Sequence, residues 1–281
     1  MGELRLSAGT ARAGVAPALG GSLTAWEIDG QPLLRAASAD ALERGDPLGM
    51  ASFPLIPWSN RIADARFDWV GESHELTPRC DMHAHAIHGT GWKTPWAVLA
   101  HDQARIMLRL DHAGDARWPF AFSATQEIVL TPESLTVTLI ARNLEDRPVP
   151  LACGHHPYFP AAGARLRFAA ERRWPPDTRM LPGAPVEIAA RQVDFAVADR
   201  ALDCAFSGWD GSATIAWPGR TRALRIESEV DHAVVYTPSG RDYFCFEPVA
   251  HLPNALDVIV APGETHRATM RLIAQPASTN A

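Results

Sequence analysis

Two stretches carry the residues best suited to moving protons. One is Cys153-Gly154-His155-His156-Pro157-Tyr158-Phe159-Pro160, and the other is Phe244-Cys245-Phe246-Glu247-Pro248. A carboxylate that ends an almost wholly apolar strand is desolvated. That raises its pKa and suits Glu247 to the work of a general base. Proline after His156 holds that histidine in an extended or turn conformation, and its aromatic neighbours tune an imidazole towards a proton donor. Side chains of adjacent residues in an extended segment point to opposite faces, so only one of the two histidines can enter a given cleft. The same pattern also fits a histidine satisfied within the core.

Three further clusters offer polar groups for holding a ligand. In Pro54-Leu55-Ile56-Pro57-Trp58-Ser59-Asn60-Arg61-Ile62, two prolines keep an apolar stretch out of a regular ladder and present Asn60 and Arg61 at its end. The planar fork of Arg61 matches vicinal hydroxyls or a carboxylate. In His83-Ala84-His85-Ala86-Ile87-His88-Gly89-Thr90-Gly91-Trp92, alternate histidines could bind a metal, but no Asp or Glu follows until Asp102. Gly89 and Gly91 point instead to a tight loop that sets His88 and Trp92 beside a cleft. Asp203, flanked by Leu202, Cys204, Ala205 and Phe206, is costly to bury alone. It is either an anchor for the fold or a carboxylate that holds a ligand.

The elements that position these groups read as strands. Residues 135–142 alternate with period two and follow 124–130 across Thr131-Pro132-Glu133-Ser134, a hairpin pattern. Residues 4–8, 21–28, 213–217, 223–229, 232–236 and 243–249 are further short runs bounded by turn-forming residues, with Asp29-Gly30 as a tight turn. The best helical segment is short, at 37–44. Regular strands with few helices predict an all-β sandwich. It forms one domain over 1–274, with a long Pro- and Arg-rich loop at 172–185 and a tail that frays from Gln275.

Composition excludes several classes of function. Across 281 residues the net charge is −6, without the concentrated Lys and Arg that nucleic-acid binding requires. The basic run at 165–173 is broken by apolar residues and reads as a solvated strand edge. No apolar window is long enough to span a membrane. The N-terminal stretch, interrupted by Glu3, Arg5 and Arg12, does not read as a signal peptide. Cys80, Cys153, Cys204 and Cys245 match no zinc spacing and suit the free thiols of a cytoplasmic protein. Nine Trp against three Tyr supply flat apolar faces on which a sugar ring can lie, although most will simply pack the core.

Taken in order, the clusters resemble the aldose 1-epimerase (galactose mutarotase-like) family. The matching stretches are Leu19-Gly20-Gly21-Ser22-Leu23, Ile56-Pro57-Trp58-Ser59-Asn60-Arg61-Ile62, Ile87-His88-Gly89, His156-Pro157-Tyr158-Phe159, Leu202-Asp203, Glu247-Pro248 and Pro253-Asn254-Ala255. The resemblance implies a large antiparallel β-sandwich of the galactose mutarotase-like supersandwich type with its site in a concave cleft. It implies an isomerase that interconverts the α and β anomers of an aldose without metal or cofactor. His156 would be the general acid and Glu247 the general base, while Asn60, Arg61, His88 and Asp203 hold the sugar. His156 is preferred over His155 because Pro-Tyr-Phe follows it directly. A phosphorylated sugar would need positive charge at the rim, from Arg79, Arg172 or Arg173. Three other readings are a glycoside hydrolase using Asp203 and Glu247, a metal-dependent isomerase built on His83, His85 and His88, and a carbohydrate-binding protein without turnover.

Overall fold

The computed structural model describes residues 2–77 and 84–277. Among them, an eleven-stranded and a nine-stranded antiparallel sheet pack face to face, with three two-stranded pairs at the periphery. The regular alternation read in the sequence builds the smaller sheet. Phe122–Leu130 turns at Thr131 into Ser134–Asn143, where the Thr131 amide donates to the Ser134 carbonyl at 2.8 Å. The inward faces of these strands (Ile128, Leu135, Val137, Leu139) meet Trp26, Phe159, Phe244 and Phe246 of the larger sheet in one continuous core.

The larger sheet is apolar on both faces, which a two-layer sandwich does not need. Phe159, Phe206, Val235, Phe244 and Phe246 point into the core. Their neighbours Phe53, Tyr158, Ala205, Val234 and Cys245 form a second apolar cluster on the opposite, concave side. Strand period two therefore sorts each strand into a half that holds the sandwich together and a half that floors a cleft.

The short helix starts later than residue 37. It spans Ala39–Arg44 because the Ser38 side chain caps it by accepting from the Ala41 amide, and Gly45 in the left-handed region ends it. The C-terminal end also departs from expectation. The last described strand, Thr265–Pro276, stays paired through Gln275 and Pro276, opposite Ala223 and Arg222. Its pairing with Arg222–Glu227 outweighs the local polarity that suggested fraying at 275. The 172–185 segment begins as a strand, Arg172–Trp174, between Leu202–Ser207 and the short edge strand Val186–Glu187 of the larger sheet, and only then becomes a loop. No helix among the described residues is long and apolar enough to cross a membrane.

Candidate active site

Five neighbouring strands of the larger sheet lay out the floor in two rows. The registers His156 with Phe53, Glu247 with Val234, and Val234 with Ala205 define one row. Tyr158 with Cys245, Cys245 with Tyr236, and Tyr236 with Asp203 define the next. Gly154 lies opposite Val249 and Tyr158 opposite Cys245, so counting along both strands brings His156 level with Glu247. The ladder lapses between those two pairs, where Pro157 and Pro248 have no amide proton to give. The result is a contact between imidazole Nε2 and carboxylate Oε1 at 3.3 Å.

The rest of the site arrives on loops. Arg61–Ile62 pairs with Ala86–Ile87, and this small ladder carries Asn60 and His88 to the mouth of the cleft. The two loops lock each other. The His88 amide donates to the Asn60 carbonyl at 2.9 Å, and the Asn60 amide donates to His88 Nδ1 at 3.2 Å. Both residues adopt left-handed backbone, with φ of 56° and 62°. A Cβ on the following Gly89 would lie 2.0 Å from the Ile56 carbonyl oxygen, so only glycine fits the close approach. Because His88 Nδ1 accepts, the ring proton is on Nε2 and His88 is a neutral donor. Burial holds its pKa well below the usual imidazole value, helped by His156 and Arg61.

Arg61 donates to Asp203 Oδ2 at 3.3 Å, to Asn60 Oδ1 at 3.3 Å and to the Met180 carbonyl at 3.4 Å. Asn60 Oδ1 also accepts the Arg61 amide at 2.9 Å, so Asn60 sets the direction of the arginine. Behind it, the Asn254 amide donates to the Arg61 carbonyl at 2.7 Å, which ties the loop after Glu247 to the Arg61 strand.

Asn60, Arg61, His88, His156, Asp203 and Glu247 all line one cavity of about 580 Å³, the size range of small-molecule sites. His155 does not. Its Nε2 meets the Ala268 carbonyl at 3.1 Å in the core between the sheets, as the alternation of side chains requires. His85 is also used structurally, with Nδ1 accepting from the Asp64 amide at 3.0 Å and Nε2 donating to the Arg179 carbonyl at 2.9 Å. With both ring nitrogens engaged it is no metal ligand, and His83 lies outside the described residues. Of the rim arginines, Arg172 pairs with Glu187, and neither it nor Arg173 lines the cavity. Arg79 lies outside the described residues.

Leu48, Met180, Tyr236, Tyr243 and Arg241 also line the cavity, though none stands out as a site residue in the sequence. Tyr236 has a legible signal, since it alternates with Val234 on a strand whose other face is core. Leu48 comes in on the 3-10 turn Pro47–Gly49, which the Asp46 side chain caps, and Met180 on a loop; neither segment carries a sign that it reaches the cleft.

Burial governs the electrostatics. Glu247, 2% exposed, has its carboxyl pKa raised well above normal by desolvation and by the charge of Asp203, against the opposing pull of Arg61. His156, 5% exposed, is pushed down to about 3 by desolvation, with the positive charge of Arg35 adding to the effect. The pair therefore shares one proton over a wide pH range. Glu247 Oε2 and His156 Nδ1 have no hydrogen-bond partner in the protein, an expensive condition that a polar ligand relieves. The ligating atoms of His156, Cys245 and Glu247 lie within 4.8 Å of one another. Burial and the nearby Glu247 push the Cys245 thiol well above its usual pKa, so it stays protonated and is a poor metal ligand.

A profile of the aldose 1-epimerase family matches residues 3–272, and the chain belongs to that family. It is 29% identical over 274 residues to the uncharacterized protein YphB of Escherichia coli K12, covering 90% of this chain and 92% of that one. The aldose 1-epimerase of the same organism is 24% identical over 177 residues, 59% of this chain and 50% of its own. The crystal structure of a candidate aldose 1-epimerase from Escherichia coli K12 superposes with a TM-score of 0.87 at 27% identity, covering 98% and 99% of the two chains. Galactose 1-epimerase from Lactobacillus acidophilus shares the fold, with a TM-score of 0.82 at 18% identity over 98% and 95%. Family membership points to an activity of the aldose-epimerase type.

Proposed function

We propose that this protein interconverts the α and β anomers of an aldose by opening and closing its ring, with Glu247 as base and His156 as acid. The observation that carries the reading is the buried 3.3 Å contact between these two groups at the floor of an open cavity. A cyclic hemiacetal has its hydroxyl oxygen and its ring oxygen on the same carbon. The group that removes one proton and the group that adds the other must therefore be close neighbours, as these are.

The catalytic partition of the shared proton leaves Glu247 as carboxylate and His156 as imidazolium. Glu247 takes the proton of the anomeric hydroxyl while His156 donates to the ring oxygen. The bond from the anomeric carbon to the ring oxygen breaks, giving an open-chain aldehyde and a new hydroxyl. The aldehyde turns about its bond to the next carbon. His156, now neutral, takes back the proton of that hydroxyl as its oxygen attacks the other face, and Glu247 returns its proton to the carbonyl oxygen. No proton is consumed. Each positioned group contributes about 10²–10⁴ in rate. Arg61, steered by Asp203 and Asn60, and the Nε2–H of His88 donate to sugar hydroxyls, while Trp92, Tyr158, Tyr236 and Tyr243 supply aromatic surface.

The hydrolase reading is weaker. It needs two working carboxylates about 5–5.5 Å or 6.5–9.5 Å apart, whereas Asp203 is committed to Arg61 and Glu247 to a histidine. Polarimetry on freshly dissolved α-anomers of a panel of neutral and phosphorylated aldoses tests the proposal. Wild type accelerates mutarotation of at least one sugar, and His156→Asn loses about 10²-fold or more of that acceleration. No acceleration on any sugar in the panel sinks the proposal and brings the carbohydrate-binding reading forward.

A further inference from the structure

His156 sits in the middle of a continuous stack. Its ring lies on Phe53 at 4.4 Å and 30°, and on Tyr158 at 4.7 Å and 24°. Phe53 stacks in turn on Trp92 at 5.1 Å and 28°. Each end carries a cation: Lys93 Nζ is 4.4 Å from the centre of the Trp92 ring, and the Arg35 guanidinium is 3.8 Å from the centre of the Tyr158 ring. Arg35 does not line the cavity, and its surroundings are unusual. It lies 4.5 Å from the Tyr243 ring, donates to the carbonyls of Leu48 at 2.6 Å and Met50 at 2.5 Å, and has no carboxylate partner among the described residues. Its backbone amide donates to the Tyr158 carbonyl at 2.8 Å. A guanidinium half-buried without an anion is costly to keep, yet this one touches Tyr158, Tyr243 and the segment that brings Leu48 to the rim.

We propose that Arg35 is a positioning residue that acts on His156 through Tyr158, fixing the plane of the imidazole and setting an uncompensated positive charge behind it that drives the proton outward to the sugar. The inference rests on the reading of His156 as the acid. A ring oxygen is a weak base, so its donor must be a strong acid, and a fixed cation on the far side of the stack makes imidazolium one. The other titratable and charged groups around His156 are Glu247 and Cys245 on the adjoining strand, His88 at the mouth, Tyr158 on its own strand, and Lys93, two rings away beyond Phe53 and Trp92. The Arg61–Asp203 pair acts on Glu247. Among these, Glu247 as carboxylate favours imidazolium, and Arg35 opposes it. The downward displacement of His156 by Arg35 agrees in sign.

Two variants separate charge from tethering. Arg35→Gln is neutral but keeps an amide that can donate to the rim carbonyls. Arg35→Lys keeps the charge and loses the planar fork. The readout is the His156 ring titration by NMR in the empty cleft, beside the pH profile of kcat for mutarotation. In Arg35→Gln the ring titrates at higher pH than in wild type, the acid limb of kcat moves up with it, and kcat falls roughly tenfold with KM within about twofold. In Arg35→Lys the titration stays near its wild-type position. A folded Arg35→Gln whose His156 titrates as in wild type overturns the proposal, as does an Arg35→Lys shifted as far as Gln. The titration needs no substrate, so absence of turnover counts against the mutarotase reading, and an unmoved titration counts against the role of Arg35.

Discussion

Along Phe122–Leu130 buried and half-buried residues alternate without a break, and the register with Ser134–Asn143 runs through nine successive pairs. In the Gly154–Pro160 and Tyr243–Val249 strands almost every residue is buried on both faces, prolines interrupt the ladder, and two ionisable side chains meet in the gap. The first region keeps every local rule that makes a sheet. The second breaks several, and its departures coincide with the cleft. The smaller sheet and the inward face of the larger one thus build the shared core by regular rules, while the larger sheet tolerates a costly arrangement on its free face.

Substitutions on the two sides sharpen the contrast. Glu247→Gln has the largest expected effect: mutarotation falls by about 10²–10⁴, while the stability of the variant relative to wild type grows as pH rises. The sign follows from the raised carboxyl pKa of the folded state. The stability Glu247 contributes is complete below its unfolded value near 4.5 and is lost as pH climbs towards the folded value, where only the unfolded chain ionises freely. Denaturant melts should therefore show wild type and Glu247→Gln alike near pH 4 and the variant ahead at pH 8. Equal offsets at both pH values would contradict a carboxyl held up by burial.

Next in size is Leu272→Ala, deep in the smaller sheet between Leu135 and Ile226. It costs about 2–5 kcal/mol of folding stability and leaves kcat at low temperature unchanged. A drop in kcat comparable to that of a cleft variant would erase the division of labour. The smallest effect is expected from His155→Met, beside the acid but on the core side. Loss of its bond to Ala268 costs about 1–3 kcal/mol, with kcat retained. If instead activity disappeared and His156→Asn kept it, the roles of the adjacent histidines would be reversed.

Much of this layout was legible in the sequence, for a physical reason. Where a strand is half-buried its period of two shows through, and the hairpin at 131–134 could be read from alternation and turn chemistry alone. Where a strand is buried on both faces the period vanishes, but a polar residue then stands out against apolar neighbours. That is how Glu247, Asp203 and His156 drew attention before the structure brought them to one cavity. Contacts made by loops distant in sequence left no such trace. The reciprocal lock of Asn60 and His88 depends on segments 28 residues apart, and nothing local announces it. No local pattern sets Arg35 apart, and its stacking on Tyr158 joins parts of the chain far apart in sequence. At Gln275 and Pro276, where the frayed tail was expected to begin, the reason is the converse: a partner strand that local composition does not reveal holds them, while residues 278–281 of that tail lie outside the described residues.

The strand Thr265–Pro276 pairs with Ser134–Asn143 on one side and Arg222–Glu227 on the other, so among the described residues it alone joins the two parts of the nine-stranded sheet. On the ribosome both parts exist before it does. At about 5–20 residues per second, roughly 2–10 s of synthesis separate the completion of Arg222–Glu227 from the emergence of the strand that bridges them. Throughout that interval two open strand edges with apolar faces are available to any neighbouring chain. Yield in the cell is therefore expected to depend on factors that shield nascent edges far more than the robustness of the finished sandwich would suggest.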